Sequence, residues 1–308
     1  MKVIKKYLHV IRDAFKAFSE DNCVKLSAAL SYYTIFSIGP LLVIILSLSG
    51  IFYGAEAVQG KLFNQMNGLL GAEAAKQVQD IIANIQHSKK GHIGAIVGVV
   101  VLIVGATGIF TEIQDSINFI WSIRAKPKRG IVQLLLNRLV SFSLILSLGF
   151  LLVVSLVVNT LMDLLNERLT HSFPETTVYL FYWLNLLMLL LVISLLFAVI
   201  FKVLPDGKIK WRDAITGAVF TGLLFILGKT AIGYYLGNSS MGATYGTAAA
   251  IIIILTWVYY TSIILYFGAE FTKIYALQHG GGIVPHKTAV FIIKQEAKEI
   301  SMPPRKSS

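Results

Sequence analysis

The chain has 308 residues, 56% of them hydrophobic and 14% charged, with a mean hydropathy of +0.71. Soluble domains carry about 25% charged residues, so this balance excludes an ordinary soluble fold and points to the bilayer. The formal charge is +11, and its distribution along the chain decides whether it reads as a nucleic-acid surface or as membrane topology.

Residues 1–22 come first. Tyr7, Ile11, Ala14, Phe15 and Phe18 share one helical face, with Lys5, Lys6, Arg12 and Lys16 beside it. That pattern predicts an amphipathic helix on the cytoplasmic leaflet, too charged to serve as a signal peptide. Cys23 is the single cysteine, so no internal disulfide can form.

A membrane domain over 23–275 follows, with six predicted spans at about 26–54, 93–120, 138–161, 178–202, 213–236 and 246–271. The lengths follow from a hydrocarbon core of about 30 Å and a helical rise of 1.5 Å. In the first span, Ser27, Ser31 and Thr34 keep i, i+4, i+7 spacing, with Tyr32 adjacent. Gly39-Pro40 falls near its middle, where Pro40 frees a backbone carbonyl and bends the helix. Such a bend lines a substrate path in some transporters and is only a bend in many other proteins.

Between spans one and two, Val58, Leu62, Met66 and Leu69, then Val78, Ile81, Ile82 and Ile85, repeat at helical spacing. Residues 56–90 therefore read as two short amphipathic helices capping the outer face. The second span starts apolar and ends in a polar stripe of Thr107, Thr111, Asp115, Asn118 and Ser122, bordered by Gln114 and Glu112. In one reading this stripe faces Ser27, Ser31 and Thr34 across a cytoplasm-facing polar chamber. In the other, Glu112 and Asp115 sit at headgroup depth and pair with Arg138 or Arg212.

Pro205, Asp206 and Gly207 form a turn signal ahead of span five. Within that span Lys229 lies in the outer half, and beyond Asp213 at the inner edge of span five, spans three to five contain no acidic residue to pair with it. Lys229 either snorkels to the outer headgroups or meets an exogenous anion such as a lipid phosphate. Gly94-xxx-Gly98 and Gly233-xxx-Gly237 mark expected close helix packing, and Gly242-xxx-Gly246 a weaker case. Residues 276–308 open Gly-rich and read as a cytoplasmic tail, partly disordered.

Of the 27 basic residues, 21 fall in the N-terminus, the second and fourth loops and the tail, against 5 in the alternate loops. The positive-inside rule then places both termini in the cytoplasm, and the charge reads as topology with anionic lipid as its partner, with no nucleic acid. The six histidines show no metal-ligand spacing, and HExxH, GxSxG and Walker A patterns are absent from the sequence. The expectation is a protein that is no enzyme and uses no cofactor and no metal.

Four segments carry a resemblance: NCVKLSAALSYYTIFSIGPLL at 22–42, GATGIFTEIQDSINFIW at 105–121, FKVLPDGKIKWRDAITGA at 201–218 and YGTAAAIIIILTWVYYTSIILYFGAEFTK at 245–273. Together they resemble the YihY/BrkB family of bacterial inner-membrane proteins, once labelled ribonuclease BN. This sequence has no metal-binding His/Asp cluster to fit that label. The resemblance implies a six-helix inner-membrane protein, with envelope-lipid transport among the proposed activities. Asn22, Ser27, Tyr32, Pro40, Glu112, Asn118, Pro205, Tyr245, Gly246, Gly268 and Glu270 are family-pattern positions without an assigned catalytic role.

The sequence thus predicts an all-α integral membrane protein, a six-transmembrane-helix bundle with amphipathic interfacial helices and both termini inside. The expected function is transport or flipping of an amphiphilic anion such as a lipid or lipid-linked glycan. Lys229, Asp115, Asn118, Glu112, Ser27, Ser31, Thr34, Tyr32, Pro40, Tyr245 and Glu270 are the candidate path residues. The alternative is a non-transporting scaffold for envelope assembly, and either could act as a homo-oligomer. A small-ion channel lacks any filter-like segment.

Overall fold

The computed structural model describes residues 2–34, 108–126, 174–237 and 249–294. The predicted third span, the outer cap at 56–90, Pro40 and Tyr245 lie outside these residues. The chain starts with helix α1 (Lys2–Glu20), and residues 23–34 form helix α2. Residues 108–120 form α3, followed by strand β1 (Ile123–Ala125). Then come α4 (Pro174–Val203), β2 (Gly207–Lys208), α5 (Trp211–Gly237), α6 (Ala249–His279), β3 (Val284–Pro285) and β4 (Ala289–Phe291).

Three of these helices are long and apolar enough to cross a membrane, over Leu186–Val203, Trp211–Tyr235 and Ile251–His279. Their surfaces explain why. Leu187, Leu191 and Leu195 on α4, and Ile215, Val219, Leu223 and Leu227 on α5, repeat every four residues and all stay exposed. In water such stripes would be costly, and against lipid tails they are the ordinary outer face of a span.

The helices touch through small residues. Gly217 and Thr221 on α5 face Thr272 and Gly268 on α6, each threonine seated over the opposite glycine. A Cβ on Gly217 would stand 1.9 Å from Thr272 Oγ1, and one on Gly268 2.0 Å from Thr221 Oγ1. Both hydroxyls bond back to their own helices, Thr221 to Gly217 O at 2.7 Å and Thr272 to Gly268 O at 2.6 Å. The interlock thus needs no water and lets the two backbones approach closely. Gly222 plays the same part against Ser194 of α4. By contrast Gly233, expected to pack closely, meets nothing within 4 Å among the described residues.

The compact core sits at one end, where the turns converge. Ile117, Ile120, Trp121, Phe201, Tyr266 and Ile283 are buried together there. The helices end abruptly at this level. Asn22 takes a positive φ of 52°, closing α1, while its carbonyl accepts the amides of Lys25 and Leu26 to open α2. Asparagine tolerates both tasks, left-handed backbone and helix start.

Two features go beyond the sequence expectation. Helix α6 continues to His279, two turns beyond the predicted end near 271, because the charges of Glu270 and Lys273 are absorbed by neighbouring elements. The tail also folds back: β4 pairs antiparallel with β1, Ile123 opposite Phe291, and β3 with β2, Gly207 opposite Pro285. The residues through Lys294 are therefore ordered, since their partners come from distant loops that local composition cannot reveal.

Candidate functional site

The polar stripe of α3 divides as it reaches the rim. Asn118 turns inward, 4% exposed, and grips the 204–207 turn. Its Nδ2 donates to Asp206 Oδ2 at 2.8 Å, and its Oδ1 accepts the Asp206 amide at 2.8 Å. Gln114 Nε2 adds a bond to the same carboxylate at 3.2 Å, and Asp206 O accepts from the His286 amide at 2.8 Å. Asn118 and Gln114 thus tie α3 to the loop ahead of α5 and to the tail.

Asp115 lies on the exposed side of α3, and Glu112 is half-buried. Glu112 Oε1 accepts from Ser116 at 3.4 Å. Among the described residues neither carboxylate forms an ion pair; Arg212 is exposed, and Arg138 lies outside the described residues. Buried Tyr266 of α6 lies close to Ser116 without a hydrogen bond of good geometry.

On α2 the three hydroxyls bond to their own backbone: Ser27 to Cys23 O at 2.8 Å, Ser31 to Ala28 O at 2.8 Å and Thr34 to Leu30 O at 2.7 Å. Ser27 and Ser31 are buried, and Tyr32 is exposed against Tyr33. Hydroxyls satisfied this way sit in an apolar helix without needing a hydrated chamber.

Glu270 is fully buried and belongs to a charge network that joins four elements. Lys273 Nζ lies 2.7 Å from Glu270 Oε2 and 3.3 Å from Asp21 Oδ2. Lys294 Nζ, from the tail, reaches the same Asp21 oxygen at 2.6 Å. Both ammonium groups also donate to Ile120 O at the end of α3, at 2.8 and 3.4 Å, and Lys294 rests 4.3 Å over the Phe119 ring. Two carboxylates meet two ammoniums, so each buried carboxylate has a cation beside it. Burial alone would raise the Asp21 carboxyl, but hydrogen bonding toward Glu270 and Lys294 and the adjacent ammoniums hold it below the usual carboxylate range. Burial, then the charges of Glu270 and Asp21, push the Cys23 thiol up, away from the reactive thiolate. Trp121 completes the seam by donating to Ala269 O at 3.2 Å.

Sequence reasoning singled out Glu270 but missed Asp21, Lys273 and Lys294. The i, i+3 spacing of Glu270 and Lys273 was a readable signal; the tail lysine left none.

Lys229 stands apart. It lies about 27 Å along α5 from Trp211, far from the network, and is half-buried. Among the described residues it has no hydrogen bond and no ion pair. Among the described residues, too, no group of His, Cys, Asp and Glu could hold a metal ion.

Apolar helices sealed through small residues, with a buried charge network at one rim, define a helical membrane protein. The chain belongs to the Virulence factor BrkB family, whose model matches residues 14–290. It is similar to a UPF0761 membrane protein of Saccharophagus degradans, 28% identical over 259 residues, covering 84% of this chain and 58% of that relative. A UPF0761 membrane protein of Pseudomonas aeruginosa LESB58 is 30% identical over 82% of this chain and 59% of its own length. One from Vibrio vulnificus YJ016 is 32% identical over 79% and 74%. The chain thus spans a little under three-fifths of the first two relatives. No solved structure matches it.

Proposed function

We propose that this protein moves an amphiphilic anion, a phospholipid or lipid-linked glycan, across the bacterial cytoplasmic membrane, using six spans with both termini inside. The observation that carries this reading is Lys229: a half-buried ammonium in a span, without a protein anion among the described residues. A cation at that depth is costly unless a counter-ion reaches it, and a lipid phosphate moving between helices supplies one. Asp115, exposed beside half-buried Glu112, would flank the inner end of the path.

A second reading, a non-transporting scaffold, draws on the other end of the molecule. The Asp21–Lys273–Glu270–Lys294 network ties N-terminal turn, α6, α3 and tail together, as a platform for envelope-assembly partners would need.

Lipid translocation in proteoliposomes separates the two. Wild type should speed movement of a labelled anionic lipid over empty vesicles, with Lys229→Ala losing most of the gain and Lys229→Arg keeping part of it. No acceleration by wild type over several anionic lipids would sink the transport reading and leave the scaffold.

A further inference from the structure

The apolar face of α1 is wider than the surface that α1 buries. Val10, Ala14 and Phe18, one turn apart, pack against Phe267, Phe271 and Tyr275 of α6. Tyr7 stacks on Tyr275 at 6.1 Å, and Asp13 accepts a hydrogen bond from Gln278 at 2.8 Å. The helix therefore packs across the last three turns of α6, at the rim where Trp211 and Arg212 begin α5. This face holds it against the bundle.

A second stripe stays open. Leu8 is 59% exposed and Phe15 69%, although the Phe15 ring touches Phe267 edge-on. These two lie seven residues apart, on one line of the helix. Lys5, Arg12 and Lys16 fall on the neighbouring line, all within about 100° of Phe15, and all are exposed. Lys16 shares its charge with Glu20 at 3.5 Å, whereas Lys5 and Arg12 have no ion pair among the described residues. On the other flank Lys6 lies 5.2 Å over Tyr275.

An aromatic and aliphatic line bordered by unpaired cations matches the acyl boundary of an anionic leaflet. We propose that α1 is a two-sided clamp: Val10 and Ala14 grip α6 while Leu8 and Phe15 enter the leaflet and Lys5 and Arg12 hold lipid phosphates. Apolar area and basic charge act together in such helices, neither being enough alone. The contacts set which side of α1 faces the bilayer: Phe15 meets Phe267, while Asp13 on the opposite side of the helix meets Gln278 near the end of α6. This inference is independent of what the protein transports.

The test uses the full chain with a spin label at Leu8→Cys, Phe15→Cys or Glu20→Cys, in vesicles of phosphatidylcholine with or without phosphatidylglycerol. The native Cys23 is fully buried and stays unlabelled. Accessibility to oxygen, enriched in acyl chains, is compared with accessibility to a water-soluble nickel chelate. The oxygen-to-nickel ratio should be several-fold higher at 8 and 15 than at 20, and raised at 8 by phosphatidylglycerol. A Lys5→Gln/Arg12→Gln pair should remove that last increment. Nickel access at 8 and 15 equal to that at 20 overturns the clamp. So does shielding from both reagents, which would mean a second protein surface covers the stripe. Acyl depth indifferent to phosphatidylglycerol overturns the phosphate contacts.

Discussion

Asn118 holds Asp206 from two directions, its amide nitrogen on the carboxylate and its carbonyl on the backbone N–H, each at 2.8 Å. One side chain at the end of α3 thereby fixes the turn that launches α5. The turn needs this hold because Pro205 contributes no amide of its own. Asn118, one of the stripe residues, thus serves as a clasp between elements far apart in the chain.

Asn118→Ala should therefore destabilise the protein by about 1–3 kcal/mol, the cost of leaving buried polar groups without partners. Thermal unfolding in detergent reads the loss. Asn118→Asp should be worse than Asn118→Ala, since it sets a second carboxylate against Asp206. Equal stability of all three proteins would remove the clasp.

Gly217→Ala and Gly233→Ala make the same chemical change at two places on α5 and should have opposite effects. At 217 the new methyl collides with Thr272, and overpacking costs about 1–3 kcal/mol. At 233 it meets nothing within 4 Å among the described residues, and alanine gains up to about 1 kcal/mol of helix propensity. Thr272→Ala combined with Gly217→Ala should recover part of the loss, a coupling seen only between residues in contact. Unfolding midpoints of the four proteins check it.

Lys294→Ala should release the tail. Its ammonium is the side-chain bond from the β4 end to Asp21, so limited proteolysis between 281 and 294 should quicken while the α5–α6 seam stays intact. Unchanged cleavage would leave the strand pairing of β4 with β1 as sufficient by itself.

Acid should act on the same contact through Asp21. Its carboxyl is held low, so its stabilisation is full above the unfolded value of about 3.9 and disappears as pH falls through the lower folded value. Tail protection should thus persist at pH 5 (roughly one unit above that unfolded value) and fade only in stronger acid. Asp21→Asn should flatten the dependence of protection on pH. A midpoint near neutrality would assign the acid sensitivity to another group.

Some of this architecture was legible before any coordinates. The apolar runs marked the helices at 174–203, 211–237 and 249–279 within a turn or two at most ends, because a span must keep an uninterrupted apolar surface. Glu270, Asn118 and the 205–207 turn were readable as special, being polar or chain-breaking groups in an apolar setting. Their partners were not. Asp206 is 88 residues from Asn118 and Asp21 is 249 from Glu270, and no local pattern joins such positions. The Gly217/Thr272 seam escaped for a related reason: only one member of each small pair is a glycine.

Composition and charge order thus determined by themselves that this chain is a helical membrane protein, because burying or exposing apolar surface is a local property summed along each segment. The tertiary structure alone decided which polar groups are spent on one another. The hydroxyls of α2 turn back on their own helix, Asn118 is taken by Asp206, and Glu270 and Asp21 are paired with Lys273 and Lys294. Lys229 is left without such a partner among the described residues, a distinction that depends on distances between helices and not on the order of residues within them.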